Sequence, residues 1–378
     1  MEYDAALNPF VIGKYVSGEY FCDREKEKEF LVKQVINGRN TVLISPRRMG
    51  KTGLIEHCFN DSRLRDHYHL FFVDIYATSS LAEFVYLLGK NIYEELKPKT
   101  STWKDLFFQT IKSLRVGFRL SSVTGEPVLD LGIGDIQEPQ ATLDEIFEYL
   151  ENADLPCVVA IDEFQQIGVY AEKNVEALLR TKVQQCKNVS FVYSGSKRHL
   201  ISNMFNSSSK PFYQSAICMD LEPIPKETYI EFSVNLFKGR GKGVEPALVE
   251  KVYKNFGGCT WFLQVMMNEL FAMTPTGGEC GSECYEEALN NIVTVQRGSY
   301  SELLARLTPR QRQVLIAIAK EGNAKNVTSS AFVSTYKLQS ASSVQSALKP
   351  LLAYDIVTQH DGGMRVSDWF FAQWLRKY

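Results

Sequence analysis

The 378-residue sequence predicts an α/β fold, a parallel sheet with helices on both faces. Three observations predict it. Five short runs rich in β-branched and aromatic residues recur before position 225, helical stretches separate them, and a Gly-Lys-Thr loop joins the first run to the first helical stretch.

In chain order the runs are "NTVLIS" (40–45), "HLFFVDIYA" (69–77), "PCVVAIDEF" (156–164), "VSFVYSGS" (189–196) and "AICMDLEPI" (216–224). Each is apolar enough for a strand buried on both faces. "KTGLIEHCF" follows the first run, "LAEFVYLLGKNIYEEL" the second and "EALLRTKVQQC" the third, which is the alternation of a doubly wound sheet. Between residues 100 and 140, "RVGFRLSSVTGEPVLDLGIG" alternates apolar and polar residues around a "TGEP" turn. It predicts a β-hairpin insertion over about 103–140, read here as a surface excursion.

Composition narrows the class. With 45% hydrophobic residues the chain can fill ordinary cores, and no run approaches the length of a membrane span. The N-terminus "MEYDAALNPF" is acidic and lacks the apolar core of a signal peptide, so a cytoplasmic protein is expected. Eight cysteines are scattered, and the close pair Cys280 and Cys284 lacks the further ligands of a zinc site, so free thiols are expected. Residues 301–378 hold ten Lys or Arg against five Asp or Glu, which leaves a charge of −7 on the preceding 300. Such a basic tail is found on nucleic-acid-binding surfaces and on surfaces that bind nothing.

Function enters with "SPRRMGKT" (45–52). The phosphate-cradling pattern is G-x-x-x-x-G-K-[ST], and this loop keeps Gly50, Lys51 and Thr52 but has Ser45 in place of the opening glycine. It follows a predicted strand and opens a predicted helix, as the motif requires. Backbone N–H groups of Pro46's successors Arg47, Arg48, Met49, Gly50, Lys51 and Thr52 would face the phosphates, with Gly53 continuing the helix. Lys51 would supply charge to the β- and γ-phosphates, and the Thr52 hydroxyl a ligand to Mg²⁺. If position 45 needed a left-handed backbone, serine there would cost about 1–2 kcal/mol.

The third run ends in Asp162 and Glu163, two carboxylates that are expensive on an apolar strand unless a cation waits there. Asp162 is expected to hold Mg²⁺ and Glu163 to polarise the attacking water; standing alone, the pair would read as a solvated strand end. The fourth run ends in small polar residues followed by Lys197, Arg198 and His199. If that strand lies between the first and the third, Ser194 or Ser196 comes near the γ-phosphate. Arg198 then reads either as an arginine finger, in its own or a neighbouring subunit, or as a surface cation near a helix start.

"NPFVIGKYVSGEYFCDREKE…NTVLISPRRMGKTGLI", "VVAIDEFQQI", "VYSGSKRHL…MF", "FGGCTWFLQ" and "VSDWFFAQWLR" together resemble the archaeal-type ATPases of the STAND branch of AAA+ proteins. The resemblance implies an AAA+-like P-loop NTPase with an additional strand between the Walker A and Walker B strands, a helical lid and a C-terminal winged helix. The expected bounds are 1–224, 225–300 and 301–378. The family's adenine-side motif, Phe-x-Gly-Arg-Glu-x-Glu, falls on Phe21, Arg24, Glu25 and Glu27, with Asp23 replacing its glycine. The lid motif Gly-Gly-x-Pro is Gly257, Gly258, Cys259 and Thr260, without the proline. The resemblance implies ATP and Mg²⁺ binding, and these departures, together with Ser45, imply slow turnover. Many relatives add a C-terminal nuclease-like domain, which is not expected in a sequence ending at Tyr378.

The C-terminal segment points to a winged helix on its own. "LTPRQRQVLIAIAKEG" has Thr308 as cap, Pro309 at the first helical position and Gly322 at the stop. "SSAFVSTYK", "SASSVQSALKPLLAYD" and a hairpin "IVTQHDGGMRVSD" follow. In a major groove, Ser342, Ser343, Gln345 and Ser346 would face bases, but Lys349 is that helix's one basic residue. Trp369, Phe370, Phe371 and Trp374 are spaced as a core face. The expectation is an ATP-driven switch. Alternatives are a DNA-binding initiator or regulator that uses ATP for assembly, and an inactive nucleotide-binding scaffold. The partners in view are ATP or ADP, duplex DNA, and a second copy or another protein; no membrane is expected.

Overall fold

The structure, a computed structural model, describes residues 8–13, 15–96, 107, 109–113, 117–120, 127–130 and 136–377. It divides into two compact units, Lys14–Ile224 and Pro225–Tyr378 with Met1–Gly13.

The first unit carries strands β1 (Thr41–Ile44), β2 (His69–Asp74), β3 (Gly117–Leu120), β4 (Pro127–Asp130), β5 (Cys157–Asp162), β6 (Val189–Gly195) and β7 (Ile217–Asp220). Five of them form one parallel sheet in the order β2-β5-β6-β1-β7. The fourth predicted strand therefore lies between the first and third. Burial explains the order. Every residue of β1, β5 and β6 is buried, whereas β2 and β7 alternate between more and less covered positions, as edge strands do.

Alternation along the central strands feeds two cores. Val158 and Ala160 of β5 pack with Leu43 and Val192 beneath Leu31 and Val35 of α1 (Glu25–Ile36) and Leu54 and Ile55 of α2 (Lys51–Phe59). The short α3 (Ser62–Arg65) adds Leu64 to this core. Val159 and Ile161 face the opposite way. They meet Phe84 and Leu88 of α4 (Leu81–Leu96), Ile146 and Phe147 of α5 (Pro139–Glu151), and Leu179 of α6 (Val175–Gln185). Each such aliphatic burial contributes about 1.5–3 kcal/mol, so the strands are held from both sides. β3 and β4 pair antiparallel, as predicted for the insertion, while its turn residues 124–126 lie outside the described residues. α7 (Arg198–Asn206) follows β6.

The second unit begins with α8 (Lys226–Gly239), β8 (Gly243–Val244), α9 (Pro246–Asn255), α10 (Thr260–Met273), β9 (Glu279–Cys280) and α11 (Cys284–Arg306). Phe10 packs here, against Phe237 and Phe271, the Asn8 amide donates to the Asn268 carbonyl, and the Asn268 amide donates to the Phe10 carbonyl. A winged helix follows: α12 (Pro309–Glu321), α13 (Ser330–Thr335), α14 (Ala341–Ala353), the antiparallel pair β10 (Val357–His360) and β11 (Gly363–Val366), and α15 (Trp369–Leu375). Thr308 and Gln311 form a reciprocal capping box at the start of α12. Phe370, Phe371 and Trp374 are buried, so the terminal aromatics are core. All eight cysteines are free thiols. Among the described residues no helix is long and apolar enough to cross a membrane.

Candidate functional site

In an open parallel sheet, ligands bind beyond the carboxyl ends of the strands. Here the loop after β1 and the polar ends of β5 and β6 converge at that edge. Ser45 is buried, and its N–H donates to the Gly195 carbonyl at 3.4 Å. It has no positive φ. The left-handed positions of the loop are Arg48 (φ 69°) and Gly50 (φ 90°), so the strain considered for a serine at position 45 does not arise. Gly50 is where a left-handed backbone most needs glycine, immediately before α2.

Pro46, Arg47 and Arg48 are exposed and Met49 is buried. The Arg47 guanidinium lies over the Tyr76 ring at 4.8 Å. Lys51 is buried, with Nζ donating to the carbonyls of Ser45 (3.0 Å) and Pro46 (3.1 Å), so the ammonium spans the loop. Thr52 Oγ1 donates to Asp162 Oδ2 at 2.9 Å. Gly53 faces Phe21, whose ring stacks on His57 at 4.2 Å. Arg24 is buried behind the loop, donating to Glu27 Oε1 and the Glu222 carbonyl, both at 2.7 Å, and to the Met49 carbonyl at 3.4 Å.

The two serines of β6's end are two residues apart, on one face, and each finds one of the acids. Ser194 Oγ donates to Asp162 Oδ1, and Ser196 Oγ donates to Glu163 Oε2 at 2.7 Å. The Asp162 Oδ1 atom also takes the Glu163 N–H at 2.9 Å. Glu163 itself has φ 56°, an uncommon conformation for a residue with a β-carbon. Thr52, Asp162, Glu163, Ser194 and Ser196 thus form one hydrogen-bonded group. Arg198 stands outside it, 62% exposed and bonded to Asp220 at 2.9 Å.

Sequence reasoning missed Asp74 and Gln165. Asp74 sits in register with Asp162 across β2 and β5. Partial desolvation pushes its carboxyl above the ordinary value, and the charges of Asp162 and Glu163 add to the rise. The signal was available, since "FFVD" ends an apolar run in a carboxylate just as "VAID" does. Gln165 donates from Nε2 to Glu163 Oε2, a contact no spacing rule announces.

A buried lysine spanning a loop, a threonine on a strand-end aspartate and a glycine-led helix together describe a phosphate-binding loop. A family model described as an ATPase domain predominantly from Archaea matches residues 21–265. The chain belongs to this family. A second model, described as "Probable winged helix domain", matches residues 298–377 of this archaeal-type ATPase. An uncharacterized ATP-binding protein of Methanocaldococcus jannaschii is 26% identical over 158 residues, which are 39% of this chain and 44% of that protein. The match thus spans less than half of that relative. Among solved structures, the Walker-type ATPase of Pyrococcus abyssi is similar at a TM-score of 0.65 and 20% identity, covering 97% of this chain and 99% of that one. The Aeropyrum pernix ORC1 protein in complex with DNA is similar at a TM-score of 0.53 and 14% identity, covering 95% of this chain and 93% of that one. At such identities the likeness is one of fold.

Proposed function

We propose that this archaeal-type ATPase is a STAND-like switch that binds ATP and hydrolyses it slowly, coupling nucleotide state to its winged helix. The division of labour would follow the expected bounds: nucleotide chemistry in 1–224, a lid in 225–300 and the winged helix in 301–378. The observation that carries the reading is the 2.9 Å contact between Thr52 Oγ1 and Asp162 Oδ2, which joins the loop to the end of β5.

The donor set fits Mg²⁺. A hydroxyl and a carboxylate oxygen are hard ligands, and among the described residues no group of three or more His, Cys, Asp or Glu forms a complete cage. That suits an ion that keeps waters and shares phosphate oxygens. Thr52 and Asp162 would hold it, and when bound it supplies charge neutralisation at the phosphates. Loop amides from Arg47 to Thr52 would cradle the phosphates, with Lys51 releasing its carbonyls for phosphate oxygens. Glu163 would orient and deprotonate the attacking water, and Ser196 would steady it. Slow turnover is proposed because Asp23 replaces the glycine of the adenine-side motif and Thr260 the proline of the lid motif.

Lys51→Ala tests the reading, because loop amides alone leave much of the β- and γ-phosphate charge unopposed. A fluorescent ATP analogue titrated against both proteins should show binding lost in the variant. Unchanged affinity would refute a phosphate-binding role for the loop. ATP bound tightly by the wild type with no phosphate released would identify a nucleotide-binding scaffold instead.

One observation favours a second reading, duplex DNA binding. Ser342, Gln345, Ser346 and Lys349 of α14 are all exposed on one helix face, leaving it open to a groove. With so few cations on that face, the salt dependence of binding should be shallow; no duplex binding at low salt removes this reading.

A further inference from the structure

We infer that Gln165 is a positioning residue for hydrolysis, holding the carboxylate of Glu163 so that one oxygen is fixed and the other is free for water. The inference rests on the proposed role of Glu163 as the base. Two donors converge on the same atom: Ser196 Oγ at 2.7 Å and Gln165 Nε2 both give to Glu163 Oε2. No described residue hydrogen-bonds Glu163 Oε1, the oxygen left to accept a proton.

Three features show that the protein maintains this clamp at a cost. Gln165 is 5% exposed, and its Oε1 is buried with no hydrogen-bond partner among the described residues. A stranded amide oxygen is destabilising, and an apolar side chain of the same length would remove the penalty. A carboxylate oxygen only accepts, so the amide must turn Nε2 toward Glu163, which is what strands Oε1 on the other side. The second feature is Gly195. A β-carbon there would stand 2.3 Å from Gln165 Oε1 and 3.1 Å from the Ile201 side chain, so the glycine keeps open the space the amide needs. The third is the left-handed backbone of Glu163, φ 56°, in the residue whose side chain the clamp holds. A buried orphan, a glycine and a strained residue coincide around one carboxylate.

The test is steady-state ATP turnover, nucleotide affinity and thermal stability for wild type, Gln165→Leu, Gly195→Ala and Glu163→Gln. Gln165→Leu is expected to lower kcat by about tenfold or more while KM and ATP affinity stay within about twofold, because only an interaction needed in the transition state is removed. Its melting temperature should not fall, since the orphaned oxygen is gone. Gly195→Ala, which displaces the amide, should reproduce the kcat loss, and the double variant should be no slower than the slower single. Wild-type kcat in Gln165→Leu, beside an inactive Glu163→Gln, overturns the positioning role and leaves the base assignment standing. Parallel losses of kcat, affinity and stability in Gln165→Leu show a structural residue only and also overturn it. Full turnover by Glu163→Gln, or none by the wild type, removes the base assignment and this inference with it.

Discussion

Asp162 and Glu163 are neighbours in sequence and differ in environment. Asp162 is buried and accepts from Thr52, Ser194 and the Glu163 N–H, so both its oxygens are committed to the loop and the sheet. Glu163 lies one step beyond the strand, with one oxygen clamped. The roles therefore separate under isosteric change. Asp162→Asn should weaken Mg²⁺-dependent ATP binding, seen as a loss of the affinity gained on adding the ion. Glu163→Gln should bind ATP normally and lose turnover by about 10²-fold or more, the usual size of a lost general base. Equal effects of both on binding would contradict this division. These residues were legible because chemistry-bearing types at strand ends stand out from an apolar background. Gln165 was not, because a glutamine after "IDEF" is unremarkable until its amide is seen on Glu163. Arg24, expected on the nucleotide side from the resemblance, is buried and tied to three protein groups.

Local sequence specified the elements because period and punctuation are local properties. The five apolar runs became the five strands of the sheet, each trimmed by one to five residues in all at its ends. Capping chemistry is equally local, and α3 shows what it contributes. Asp61 caps this helix by accepting from the Arg63 N–H at 3.1 Å, and its carboxylate also takes Arg63 Nε at 2.9 Å. The Arg63 side chain, bonding to it, holds the Asp61 carboxyl down at about 2. A folded-state value below the unfolded one means stability that is present above the ordinary carboxylate range and lost as pH falls toward 2. Asp61→Asn should therefore lower the melting temperature at pH 7, and only slightly, because solvent screens the exposed guanidinium. Melts repeated well below pH 2 should show the difference vanish. A gap that persists there would assign the effect to the neutral cap alone.

For the whole molecule, Arg198 as the proposed finger would decide whether hydrolysis is a property of one chain. It begins α7, is largely exposed and is bonded to Asp220. An exposed ion pair contributes little and is readily exchanged, so the guanidinium is available to a phosphate of its own chain or of a neighbour. An arginine finger raises turnover by about 10³–10⁵-fold. Arg198→Ala should bind ATP and lose most of its turnover. If the arginine acts between chains, mixing this variant with Lys51→Ala restores activity, because each supplies what the other lacks. No rescue, with a wild-type rate linear in protein concentration, places the arginine in its own chain. Wild-type turnover by Arg198→Ala makes it a surface cation.

The sequence by itself determined the strands, the helices, the phosphate loop and the acidic pair, since each is written in residue types a few positions apart. Tertiary structure decided which of those pieces meet. The order β2-β5-β6-β1-β7 sets β6 beside both β5 and β1, and that adjacency alone brings Ser194 and Ser196 to acids more than thirty residues away. It also placed Asp74 in register with Asp162. Long-range pairing of this kind follows from how two faces of one sheet are covered at once, a condition that every strand shares and none encodes in its own residues.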